Sequence, residues 1–166
     1  LTIPQNPADG VAAVRERITV AALAAGRDPA TVTLVGVAKS QPLDRVRSAL
    51  DAGLADLGEN YLQEASAHFE ALPDRSFRRH FIGALQTNKT REAARLFDWV
   101  HTVDRIRIAE RLSAQRPESM QPLAVCLQVH LGDESTKSGV APAGLAALAG
   151  AVAELPRLRL RGLMSL

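Results

Sequence analysis

The sequence predicts an α/β fold with parallel strands. Three observations carry this: short apolar runs rich in β-branched residues, helical periodicity in the gaps between them, and near-continuous apolarity at Thr31 to Ala38 and Leu123 to Val129, as in strands covered on both faces. Such alternation requires crossover helices joining parallel strands, in an open doubly wound sheet or a closed barrel. A single domain over residues 1–166 is expected, because that length buries a substantial core yet falls short of two ordinary domains.

Taken in order, the first element is a helix. Asn6 can cap it, Pro7 suits its first turn, and Val11, Val14, Ile18, Ala22 and Leu23 recur at helical spacing up to Gly26. Strands are expected at Thr31 to Ala38, Ala55 to Gly58, His80 to Ile82, Trp99 to Val103, Leu123 to Val129 and Leu158 to Met164. Between them, helices are expected from Leu43 to the stop at Gly53, then at Tyr61 to Leu72, Lys89 to Leu96, Arg105 to Leu112 and Leu145 to Leu155. Arg116 to Pro122 reads as a polar loop.

Composition narrows the function. Twenty basic residues stand against 18 acidic ones without forming a stripe, which argues against nucleic acid as a partner. No apolar run approaches the roughly 18–20 residues of a membrane span, and no signal-like segment opens the chain, so a cytoplasmic protein is expected. The single cysteine, Cys126, sits in an apolar run and reads as a core thiol. No residue cluster has metal-ligand spacing, and no Ser/His/Asp or Cys/His set is indicated.

In a barrel of this kind, chemistry gathers at the carboxyl ends of the strands. Lys39 ends the first run, Glu59 and Asn60 the second; Gly83 and Gln86 follow the third, Asp104 the fourth, and Ser165 the sixth. Lys137 lies in the Ser/Thr/Gly-rich stretch after the fifth. Two readings fit Lys39: a desolvated amine able to attack an aldehyde, or a stem that covers apolar surface while its charge reaches water. Asn60 either caps the helix expected at Tyr61 or offers its amide to a ligand. His68 and His80 read as ordinary solvated or core histidines, and His101 as packed or mouth-lining.

Together these segments resemble one family in order and spacing. They are Val37-Ala38-Lys39-Ser40-Gln41-Pro42, Gly58 to Glu64, His80 to Lys89, Val100 to Asp104, Asp133 to Gly139 and Leu160 to Met164. The chain is similar to the YggS/PROSC family of pyridoxal phosphate homeostasis proteins, whose fold resembles the alanine racemase N-terminal barrel. The resemblance implies a (β/α)8 TIM-type barrel of which about six βα units are present in residues 1–166, without the last two. It implies that Lys39 forms the internal aldimine with pyridoxal 5'-phosphate, that Asn60 and Met164 lie beside the cofactor ring, and that Lys137 is an auxiliary lysine. Ser40 and Gln41 depart from the family's usual Thr and Lys, Arg79 from Trp, Ala84 from Pro, and His130 from Asn.

The same resemblance implies a role in vitamin B6 homeostasis without robust turnover. Small molecules, including amino acids, and pyridoxal-phosphate-dependent apoenzymes are the implied partners, and the protein is expected as a monomer or weak dimer. The family's two phosphate-cradling segments have no counterpart among these residues, so weak cofactor binding is expected. Alternatives are a pyridoxal-phosphate-dependent amino-acid racemase or lyase, and a cofactor-free barrel that is structural or uses Lys39 as a class I aldolase would.

Overall fold

The computed structural model describes residues 6–131 and 138–166. Its contacts gather into two compact units, Leu1–Gly58 with Gln63–Arg78 and Glu59–Leu62 with Arg79–Leu166. Every strand pairing within either unit is parallel and joins strands consecutive in the chain.

The first unit begins with helix α1 (Pro7–Ala24), whose N-cap Asn6 accepts a hydrogen bond from the Ala8 amide at 3.1 Å. Its expected apolar stripe is partly covered: Ala22 is buried, Val11 and Ile18 are half-buried, and Val14 and Leu23 are exposed. The helix is tied to α2 (Leu43–Asp51) by Arg15, whose guanidinium donates to the Ala52 and Gly53 carbonyls at 3.3 and 2.6 Å. These carbonyls follow the last turn of α2, where a cation is favourably placed. Gly53 itself has φ +83°, the left-handed end of a helix that glycine adopts without strain.

Strand β1 is much shorter than the run Thr31 to Ala38 suggested, covering only Gly36–Val37. Local polar bonds claim the start of that run. Asp28 caps a 3-10 turn at Pro29–Thr31 by accepting from the Ala30 amide, and the Thr31 hydroxyl donates to the Asp28 carbonyl. Parallel pairing with β2 (Asp56–Glu59) aligns Gly36 with Leu57 and Val37 with Gly58. Helix α3 (Leu62–Glu70) contributes Ala65 and Phe69 to a core with Val46, Leu54 and Leu57. Asp56 is buried and answered by the Arg78 guanidinium at 2.6 Å.

The second unit carries β3 (Arg78–Phe81), α4 (Thr90–Leu96), β4 (Trp99–Val103), α5 (Ile106–Gln115), β5 (Leu123–Gln128), α6 (Pro142–Ala153) and β6 (Leu158–Met164). Every residue of β5 is buried, which explains its unbroken apolarity. Leu123, Val125 and Leu127 are wholly inaccessible, as are Ile108, Leu112 and Val152 on the helices. Arg116 is buried too. Its guanidinium donates to the carbonyls of Ala94, Phe97 and Gln121 at 2.7, 2.7 and 2.8 Å, replacing water at the end of α4. Desolvation lowers its pKa from the ordinary value.

Both neighbours of β5 are irregular at one level. The β4 register slips between Val100 and Val103, and the β6 register slips opposite Val125 and Cys126, so that Cys126 pairs with Gly162. Extra residues thus stand on each side of Cys126, and such bulges re-aim side chains. Cys126 is buried, and burial pushes its thiol pKa up while Arg161 opposes the rise.

Candidate functional site

Lys39 stands two residues beyond β1, in a tight turn. The Gln41 amide donates to the Ala38 carbonyl at 2.9 Å and closes the turn, leaving Lys39 and Ser40 as its central residues. Ser40 has φ +55°, a left-handed conformation that costs an L-residue about 1–2 kcal/mol. Two side chains of α3 hold the turn: the Ser40 amide donates to Glu64 Oε2 at 2.9 Å, and His68 Nε2 donates to the Gln41 carbonyl at 3.2 Å.

Of the two readings of Lys39, its exposure matches the one in which the charge reaches water; the residue stands past the end of β1, and Val37, inside the strand, is exposed as well. Ala38, in contrast, is buried and anchors the backbone, its amide donating to the Gly58 carbonyl at 2.9 Å.

In the second unit, Asn60 follows the buried Glu59 at the carboxyl end of β2. Helix α3 starts at Leu62, so Asn60 lies one place too early to be its N-cap. The Asn60 side chain is half-buried, and among the described residues its amide has no hydrogen-bond partner. Its backbone is closely held: a Cβ on Gly83 would collide with the Asn60 carbonyl oxygen, and the buried Thr102 hydroxyl donates to the Gly83 carbonyl at 2.6 Å. Met164, the last residue of β6, is half-buried and pairs with Gln128. Lys137 lies outside the described residues.

A polar aromatic cluster occupies the same unit. His80 Nδ1 and His101 Nε2 are 2.9 Å apart, so one nitrogen donates and the other accepts. His80 stacks on Trp99 with ring centroids 5.4 Å apart, and the Arg161 guanidinium lies 5.6 Å from the centre of the Trp99 ring. Burial, reinforced by His80, lowers the His101 pKa from 6.5 to about 4. Among the described residues no three His, Cys, Asp or Glu side chains could hold a metal ion, and no helix is long and apolar enough to cross a membrane.

The model for the alanine racemase N-terminal domain family matches residues 11–166. The pyridoxal phosphate homeostasis protein of Pseudomonas aeruginosa is 57% identical over 159 residues, spanning 96% of this chain and 69% of the relative. The chain belongs to the pyridoxal phosphate homeostasis protein family. PipY of Synechococcus elongatus, solved with PLP bound, superposes with a TM-score of 0.77 at 37% identity, covering 92% of this chain and 70% of PipY. A protein of unknown function from Bifidobacterium adolescentis gives 0.88 at 31% identity, covering 98% of this chain and 70% of the other. The fold is therefore the α/β barrel type of the alanine racemase N-terminal domain, represented here by six parallel strands.

In this member of the pyridoxal phosphate homeostasis protein family, the expected site residues are divided between the two units. Lys39 falls in the first unit; Asn60 and Met164 fall in the second. Sequence reasoning assigned Glu64 no role and read His68 as an ordinary histidine, whereas both bond the Lys39 turn. Glu64 was visible inside the Gly58 to Glu64 segment, and the four-residue spacing to His68 puts both on one helix face. Nothing in the local sequence announces that this face meets a turn 24 residues upstream.

Proposed function

We propose that this chain binds pyridoxal 5'-phosphate through the Lys39 amine and serves vitamin B6 homeostasis in the cytoplasm without robust catalytic turnover. The reading rests on one observation above others: Lys39 alone, in the family's Val-Ala-Lys context, is presented at the carboxyl end of β1 on a clamped turn. The PLP in PipY supports it, as do the names of the homologues. An exposed amine is within reach of an aldehyde in solution, and an amide can both donate to and accept from a ring substituent.

In the linkage, the neutral ε-amine adds to the aldehyde carbon; both nitrogen hydrogens then leave with the carbonyl oxygen as one water. When bound, the cofactor supplies an electron sink for carbanion chemistry. Asn60 and Met164 are assigned to the ring and Lys137 to an auxiliary role, on the resemblance to the family. Amino acids and pyridoxal-phosphate-dependent apoenzymes are the proposed partners, with the protein itself a monomer or weak dimer.

Borohydride reduction of the full chain incubated with pyridoxal phosphate, followed by peptide mapping, tests this. A stable label on Lys39, lost in Lys39→Ala, is the expected result; a label on another residue, or none, defeats the reading. The alanine racemase N-terminal domain match favours a second reading, an amino-acid racemase or lyase. Sustained racemisation of a single enantiomer, abolished by Lys39→Ala, would replace homeostasis with catalysis.

A further inference from the structure

We propose that Glu64 and His68 are positioning residues for Lys39, holding the Ala38–Gln41 turn in its left-handed form so that the amine leaves β1 in one direction. The inference rests on the assignment of the cofactor to Lys39, and it adds the source of that lysine's orientation.

A two-residue turn with a positive φ at its second central position ordinarily takes Gly or Asn there, because a Cβ crowds the following carbonyl. This chain has Ser40 in that place, at φ +55°. Without a compensating interaction, serine would relax toward negative φ, and the direction of the preceding Lys39 would be lost with it. The compensation comes from α3. The Ser40 amide is directed at Glu64 Oε2, 2.9 Å away, a charge-assisted bond available only while Ser40 keeps this conformation. One helical turn later, His68 Nε2 reaches the Gln41 carbonyl at 3.2 Å, securing the far side of the turn. Ala38, buried on the near side, fixes the entry.

Every residue of the clamp belongs to the first unit, and both helix side chains are half-buried. Lys39 is exposed, so these bonds act on its backbone turn and restrict the directions in which its side chain leaves β1. Their role is to pre-organise an exposed nucleophile.

The test uses the full chain and two readouts: hydrogen exchange at the Ser40 amide without cofactor, and the rate at which borohydride-trappable label accumulates on Lys39 with pyridoxal phosphate as probe. Glu64→Ala should speed both Ser40 exchange and loss of Lys39 orientation, slowing labelling about tenfold, the equivalent of one hydrogen bond. Glu64→Gln, whose amide oxygen still accepts, should label within about threefold of the wild type. Ser40→Gly relieves the strain, so Glu64→Ala in that background should recover most of the lost rate.

Labelling on Lys39 at the wild-type rate in Glu64→Ala overturns the inference alone. So does a slow Glu64→Ala that neither Glu64→Gln nor the Ser40→Gly background improves, because that pattern reports general damage to α3. Label on another residue in the wild type overturns the assignment of the cofactor to Lys39 and carries this inference with it.

Discussion

The two units hold themselves together by different means. In the second, β5 is buried along its whole length, and Leu123, Val125 and Leu127 are sealed completely. In the first, β1 is two residues long, Val37 is 55% exposed, and an apolar cavity of about 290 Å³ opens among Val11, Val14, Val37, Val46 and Leu54. Order there comes from side chains bonded to backbone: Arg15 on the end of α2, Asp28 on its own turn, and Glu64 and His68 on the turn of Lys39. The lysine assigned to the cofactor sits on the sparsely packed unit. Close packing and accessible chemistry compete for the same surface, and directed polar bonds supply rigidity where packing is given up.

The largest expected effect contrasts the cores. Leu127→Ala should destabilise the chain by about 3–4 kcal/mol, while Leu23→Ala on exposed α1 should cost less than about 0.5 kcal/mol. Urea unfolding midpoints measure both, and equal losses would erase the distinction between the units.

Acid sharpens it next. His101 has a folded-state pKa of about 4 against an ordinary 6.5, so the unfolded chain takes up the proton first as pH falls. The stability it contributes is complete above about pH 6.5 and is lost progressively down to about pH 4, amounting to about 1–2 kcal/mol for a half-buried ring partly screened by solvent. Comparing unfolding at pH 7 and pH 5, His101→Phe should show a smaller loss than the wild type. An identical loss in both would show that the histidine pair is not where the second unit is sensitive to acid.

A more local effect belongs to the first unit. Asn6→Ala removes the cap of α1 and should cost about 1 kcal/mol. Faster amide exchange confined to the first turn of α1 is the expected signature; spread into β5 would mean the two units open together.

Much of the architecture could be read from the chain. Strands β4 and β6 fall at Trp99–Val103 and Leu158–Met164 as their apolar runs indicated, and Asn6 and Pro7 start α1 as their chemistry requires. Strand β1 departs because Asp28 and Thr31 offer the backbone a local alternative that no hydropathy pattern registers. At the candidate site, the run alone left Lys39 open between a sheltered amine and a stem whose charge reaches water, and only the motif order singled it out. Which of the two holds depends on what surrounds a strand end, and the structure leaves the residue exposed.

By itself the sequence determined which segments become strands and helices, that the strands run parallel, and which lysine the family context marks. These follow from periodicity, local bonding and motif order, all properties of neighbours in the chain. Tertiary structure alone decided that α3 reaches back to the Lys39 turn, that Ser40 is held left-handed, and that His80 meets His101 across two strands. Such contacts join residues more than 20 positions apart, and their energies exist only once the backbone has brought the partners within hydrogen-bonding distance.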